Sequence, residues 1–311
     1  MNRLKKSALF LFFWAAFLTI GPSLQPHPVF ADNGNAATEE EESKNNSPLN
    51  WKITPGLGIH KPTYMLFTWT SFDAGRRKEE LKFQISFKQR LFPWGGLSSE
   101  EEREKYILYF GYTQKSFWQV FDTDHSSPFR ETNYNPELFV RTPEFEKWGV
   151  WSIEGGYEHE SNGQDIPESR SWDRLYIRPK LKRGIFTADY KLWYRFEEDE
   201  KKNEHDTEGD DNPDIEDFYG NGELNFRIDF SKLKGRPGTT GNRFLCFDKS
   251  AINVMLRYNY SENRGAVQAD YFLPLGNRFK LHFQYWNGYG ESLIDYNRSF
   301  TKYGLGIVLI C

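Results

Sequence analysis

The sequence predicts an all-β protein, a twelve-stranded antiparallel transmembrane β-barrel. Three observations predict it. Apolar and charged residues alternate with period two in segment after segment, the mark of strands with one apolar and one polar face. Phe, Trp and Tyr make up 17% of a chain that is also 27% charged, a mixture that suits an apolar outside, a polar lumen and aromatic girdles. The chain also opens with a secretory signal, which takes it out of the cytoplasm.

That signal comes first. Arg3, Lys5 and Lys6 form a basic n-region, Ser7 to Ile20 is the apolar run, and Val29, Phe30 and Ala31 suit a cut after Ala31. The run is short for a membrane-spanning anchor, so residues 1–31 read as a signal peptide. Residues 32–49, DNGNAATEEEESKNNSPL, are small, polar and acidic and read as a flexible leader. Residues 50–311 are then the barrel domain.

Within it the alternation is explicit. Leu81, Phe83, Ile85 and Phe87 alternate with Lys82, Gln84, Ser86 and Lys88, and Leu224, Phe226, Ile228 and Phe230 with Glu223, Asn225, Arg227 and Asp229. Phe279, Leu281, Phe283 and Tyr285 do so with Lys280, His282 and Gln284. Twelve strands are expected, at about 56–70, 80–91, 105–117, 135–143, 149–160, 171–180, 185–196, 219–230, 250–260, 265–274, 278–289 and 301–310. Twelve is even, as in bacterial single-chain barrels. Most are long enough to cross a bilayer at a tilt. With both termini periplasmic, 118–134, 161–170, 197–218 and 288–300 become outer loops, and 144–148, 181–184 and 275–277 short inner links. Segments 92–104 and 231–249 are long yet fall on the inner side. The charge run EEDEKKNEHDTEGDDNPDIED in 197–217 reads as a solvated loop.

A formal charge of −4, with no basic stripe, excludes a nucleic-acid binder. The two cysteines, Cys246 and Cys311, have no ligand cluster near them in sequence. An envelope compartment permits a disulfide, and they read as structural or free thiols.

The fifth expected strand holds the candidate chemistry. Its even positions, Ser152, Glu154, Glu158 and Glu160, carry the carboxylates that belong in the lumen. Its odd positions, Trp151, Ile153, Tyr157, His159 and Ser161, then face lipid, because alternate side chains share a face. On the next strand Trp172, Arg174, Tyr176 and Arg178 form the lumen set, which leaves Asp173, Leu175 and Ile177 outside. A serine, a histidine and a carboxylate thus gather on one lipid-facing surface. Position alone reads first as a polar rim at headgroup level, and only second as the parts of a nucleophilic triad, since geometry is what defines one.

The stretch YEHESNGQDIPESRSWDRLY at 157–176 resembles the catalytic hairpin of the outer membrane phospholipase A family (bacterial phospholipase A1). SSPFRETNYNPELF at 126–139, YGESLIDYN at 289–297, YTQKSFWQ at 112–119 and DDNPDI at 210–215 resemble further signatures of it. The resemblance implies a twelve-stranded outer-membrane barrel that hydrolyses glycerophospholipid esters, with A1 and also A2 activity, depends on Ca2+ and acts as a homodimer. It implies Ser161 as nucleophile, His159 as general base and Asp173 as third member. Gly163 would hold the oxyanion through its backbone N–H. Calcium would be held by Gln164 through its carbonyl, by Ser169 through its hydroxyl, and by Ser126 of the other subunit. Gln114 falls at the dimer interface, where its amide is expected to lack partners in a monomer. Three positions depart from the family pattern. Asp173 stands where asparagine is usual, Gln164 where arginine is usual, and Cys311 where many such barrels end in an aromatic residue. The competing expectations are a non-catalytic outer-membrane channel or structural barrel, and a soluble β-rich lipid-binding protein.

Overall fold

The computed structural model describes residues 56–71, 78–95, 105–146, 148–199, 201, 203, 209–232, 250–275 and 279–309. The expected signal peptide, the leader, Cys246 and Cys311 lie outside the described residues.

In chain order the strands are β1 (Leu57–Gly58), β2 (Tyr64–Thr70), β3 (Glu79–Trp94), β4 (Tyr106–Trp118), β5 (Phe129–Arg141), β6 (Phe145–Glu146) and β7 (Val150–Ser161). Then come β8 (Ser171–Arg183), β9 (Phe186–Phe196), a short helix α1 (Ile215–Tyr219), β10 (Gly222–Asp229), β11 (Ala251–Asn259), β12 (Arg264–Leu275), β13 (Phe279–Tyr289) and β14 (Ser299–Leu309). β1 and β6 are two-residue additions that pair with β3 and β7. The other twelve form the wall. Each pairs antiparallel with its neighbour in the chain, and β14 pairs with β2 from Lys302↔Thr70 to Val308↔Tyr64, which closes the sheet. Closure gives every wall strand two partners, so that the ladder satisfies most of the backbone without water, which hydrocarbon demands.

The pleat sorts the side chains as in a membrane barrel rather than a soluble core. On β8, Leu175 and Ile177 are 47% and 50% exposed, while Arg174 and Tyr176, at the alternate positions, are each 6% exposed. The same inversion runs round the wall. Met65, Phe67, Trp69, Tyr194, Phe283, Tyr303 and Leu305 are exposed, and Glu80, Lys82, Glu137, Glu158, Asp270, His282 and Lys302 are buried. In water such an apolar exterior would aggregate; in a bilayer it is the solvated surface. Inside, the charges pair. Lys82 Nζ lies 2.9 Å from Glu291, Lys191 Nζ 2.7 Å from Glu158 and Arg130 Nε 2.9 Å from Glu80, and Arg178 pairs with Glu154.

Five boundaries differ from expectation by three residues or more, two of them at inner ends, where β3 runs on to Trp94 and β8 to Arg183, so that most of the expected link 181–184 is strand. The first segment is interrupted, leaving only 57–58 and 64–70 as strand. The fourth wall strand begins at Phe129, not 135, and its register slips between Phe117 and Trp118 of β4. Residues 215–219 are helix, so the eighth wall strand starts at Gly222. Nor is the end of the long charged loop a solvated run. Arg195 Nη2 holds both carboxylate oxygens of Asp210 at 2.7 Å, and Asn212 and Ile215 are fully buried.

Candidate active site

β7 and β8 pair His159 with Asp173 and Ser161 with Ser171. All three candidate side chains, Ser161, His159 and Asp173, fall on the outward parity of these strands and are partly exposed, while Glu158 and Arg174 beside them are buried in the lumen. His159 Nδ1 lies 2.8 Å from Asp173 Oδ1. With Nδ1 donating to the carboxylate, Nε2 is the nitrogen left to take a proton. Ser161 is two residues further on the same face, roughly 6.6 Å along an ideal strand. Sequence reasoning did not single out Tyr157, whose hydroxyl donates to the same Asp173 oxygen at 2.5 Å. It shares the odd parity of His159 and Ser161, which was the signal available for finding it.

Beyond Ser161 the chain turns back through 162–170. Gly163 has φ +63°, the left-handed region open to glycine, and a Cβ there would meet the Tyr134 ring at 3.3 Å. Asn162, buried at the root, closes the loop. Its Oδ1 accepts from Arg170 N at 2.9 Å and Gln164 N at 3.3 Å, and its Nδ2 donates to the Glu168 carbonyl at 2.8 Å. The loop is pinned from the side by 210–215, since Ser171 N donates to Asn212 Oδ1 at 3.0 Å and Ser169 Oγ to Asp211 Oδ2 at 2.6 Å. That segment is fastened in turn by Tyr296, whose hydroxyl donates to Asp214. Burial, and then the Asp214 carboxylate, push the Tyr296 phenol above its ordinary range.

Of the expected calcium ligands, Gln164 and Ser169 sit on this one loop. Ser126 lies elsewhere on the outer rim, after the 3-10 turn Thr123–His125, with φ +62°. Asp211, in the DDNPDI stretch, joins Ser169, and Lys201 pairs with its other oxygen. The donor set is all oxygen, as a hard cation such as Ca2+ prefers. Among the described residues no three His, Cys, Asp or Glu side chains gather to hold an ion, so carbonyl and hydroxyl oxygens would have to complete any shell.

Gln114 corrects an expectation. It is on the outward face of β4, but its amide has partners within one chain. Tyr112 Oη donates to Gln114 Oε1 at 3.1 Å, and Gln114 Nε2 donates to Ser116 Oγ at 3.2 Å. Residues two apart on a strand share a face, so 112, 114 and 116 form a polar track that satisfies itself.

Residues 55–309 match the family model for phospholipase A1. The chain belongs to the phospholipase A1 family. Phospholipase A1 of Klebsiella pneumoniae is 33% identical over 265 residues, covering 80% of this chain and 81% of that protein. The solved outer membrane phospholipase A from Escherichia coli superposes with a TM-score of 0.66 at 32% identity, over 82% of this chain and 98% of that one. The Salmonella typhi outer membrane phospholipase, solved as a dimer with bound calcium, also gives 0.66 at 32% identity, over 82% and 92%. Membership of the phospholipase A1 family, with the closed twelve-strand wall, makes this an outer-membrane β-barrel enzyme of the ester hydrolase class.

Proposed function

We propose that the protein hydrolyses glycerophospholipid acyl esters at the sn-1 and also the sn-2 position, in a calcium-dependent reaction run by a Ser161–His159–Asp173 triad on the lipid-facing side of a homodimeric barrel. The observation that carries this is the 2.8 Å contact of His159 Nδ1 with Asp173 on the outward face, beside Ser161. Ser161 Oγ attacks the ester carbonyl while His159 Nε2 takes its proton. Asp173 fixes the tautomer and steadies the imidazolium. His159 then protonates the leaving glycerol oxygen, and a water molecule, activated by His159 in its turn, releases the fatty acid from Ser161. The Gly163 N–H, presented by a left-handed turn, is suited to the oxyanion. The Gln164 carbonyl, the Ser169 hydroxyl and Ser126 of a second copy would hold calcium, with Asp211 beside Ser169 supplying negative charge. When bound, the ion supplies positive charge to the developing oxyanion.

A lipid-facing triad suits this substrate, because an acyl ester in the outer leaflet reaches it without leaving the bilayer. Fatty-acid release from defined mixed-chain phospholipids in detergent or vesicles tests the reading. Release should require calcium, fall to background in Ser161→Ala, and come from both positions. Release that persists in Ser161→Ala would remove the triad from the account, and release indifferent to a chelator would remove the metal.

A further inference from the structure

The wall of the barrel is broken beside the site. β5 and β7 pair Tyr134↔Ser161 and Glu137↔Glu158, with no pairing at 135–136 between them. That register sets Pro136 opposite His159. Proline has no N–H to give a ladder and belongs at sheet edges or bulges. Yet β5 is interior to a closed sheet, with Pro136 matched to Tyr112 on its other side. The His159 carbonyl, turned toward β5, would be an orphan acceptor there, which costs about as much as a lost hydrogen bond.

Asn135 supplies the missing donor. Its Nδ2 donates to the His159 carbonyl at 2.9 Å. Asn135 reaches this point from the lumen, where it is 7% exposed. Its Oδ1 accepts from Lys61 Nζ at 2.9 Å, and its Nδ2 lies 3.4 Å from Glu158 Oε2. The amide is therefore oriented from the lumen side and grips the backbone of the residue whose ring faces lipid.

We propose that Asn135 is a positioning residue for His159. By replacing the ladder bond that Pro136 cannot make, it sets the His159 backbone and so the direction in which the imidazole leaves the wall toward Ser161. Misplacing a catalytic group by about 1 Å can cost on the order of a hundredfold in rate, so a backbone hydrogen bond at this residue has kinetic weight. The inference rests on the proposed role of His159 as base.

The test is a rescue experiment in the full-length protein, reading kcat and KM for Ser161-dependent fatty-acid release with calcium saturating. Asn135→Ala should lower kcat about tenfold, leave KM within about twofold, and preserve the heat-modifiable mobility of the barrel on gels. Adding Pro136→Ala restores an N–H opposite His159, and the double variant should return to within about twofold of Pro136→Ala alone. Unchanged kcat in Asn135→Ala overturns the proposal, as does a loss that Pro136→Ala does not restore. Should Asn135→Ala fail to fold, the double variant against Pro136→Ala decides alone: equal kcat supports the role, and a tenfold gap or a double variant that does not fold overturns it. An unmodified chain without Ser161-dependent release would sink the assignment of the site itself, and this role with it.

Discussion

Asp173 stands where the sequence resemblance implies asparagine, and the structure gives this carboxylate a setting. One carboxylate oxygen receives both His159 Nδ1 at 2.8 Å and the Tyr157 hydroxyl at 2.5 Å. A carboxylate on a lipid-facing wall near the interface costs only about 0–1 kcal/mol, and two donors on one oxygen offset its lost hydration. The imidazole is thereby held in one tautomer by a group that is itself held. Asp173→Ala should lower kcat for fatty-acid release by at least tenfold, because it removes the acceptor that fixes the imidazole tautomer. Its KM should barely move, because the carboxylate lies behind the histidine. Asp173→Asn should retain most of the rate, since the amide oxygen still accepts from Nδ1. A wild-type kcat in Asp173→Ala would remove the residue from the mechanism. At this scale strand parity alone placed His159, Ser161 and Asp173 on one face, because a strand leaves a side chain only two faces to choose from. Tyr157 shared that parity and was passed over, since a tyrosine on a lipid-facing wall is unremarkable until a carboxylate is found beside it.

Among the elements, the return loop 290–298 and the segment 210–219 do the most to hold the site, and neither was legible as structure. Their sequences, GESLIDYNR and DDNPDIEDFY, lack a period to read. Their shape comes from tertiary contacts, such as Leu293 N on Asn133 Oδ1 at 3.2 Å and Ile294 N on Glu131 Oε1 at 3.1 Å. The start of β5 was hidden for a related reason. A register slip opposite Arg130 sends its guanidinium inward to Glu80, and Glu131, Asn133 and Asn135 face the lumen, so no apolar alternation survives. Glu291, with Asp295, is a charged anchor of the return loop. Burial raises its carboxyl, and Lys302 and then Lys82 lower it by more, to about 2. A carboxyl depressed in the fold from about 4.3 unfolded stabilises fully above that value. Its contribution fades as pH falls toward about 2. Glu291→Ala leaves two buried lysines short of a partner and should cost about 3 kcal/mol at neutral pH. Guanidinium unfolding in detergent, followed by tryptophan fluorescence, should show that gap at pH 7 and a narrower one near pH 3. A variant as stable as the parent at pH 7 would show that the loop is anchored by other contacts.

For the whole molecule, the contents of the lumen decide between an enzyme scaffold and a pore. The repeating alternation made the closed barrel legible, because one side chain in two must be apolar all round the wall. The filling of the barrel was not legible, because polar lumen residues read the same whether they line water or meet each other. Here they meet. Lys82, Glu291, Lys302, Glu80, Arg130 and Asp295 form one continuous set of ion pairs across the mouth. Leu293 of the return loop is fully buried, and Tyr296 packs with Phe218 of α1. Deeper in, a cavity of about 200 Å³ remains, lined by Lys61, Glu158, Arg174 and Lys191 among others. A hydrated ion passing this set would have to part several buried pairs, each costly to separate. Purified protein in planar bilayers should therefore show no steady ion conductance under conditions where it releases fatty acid from the same lipids. Steady channel currents that survive Ser161→Ala would mean that the lumen opens and that the barrel also conducts. Currents that vanish with hydrolysis in that variant would instead trace to lysolipid damaging the bilayer, and would leave the closed lumen standing.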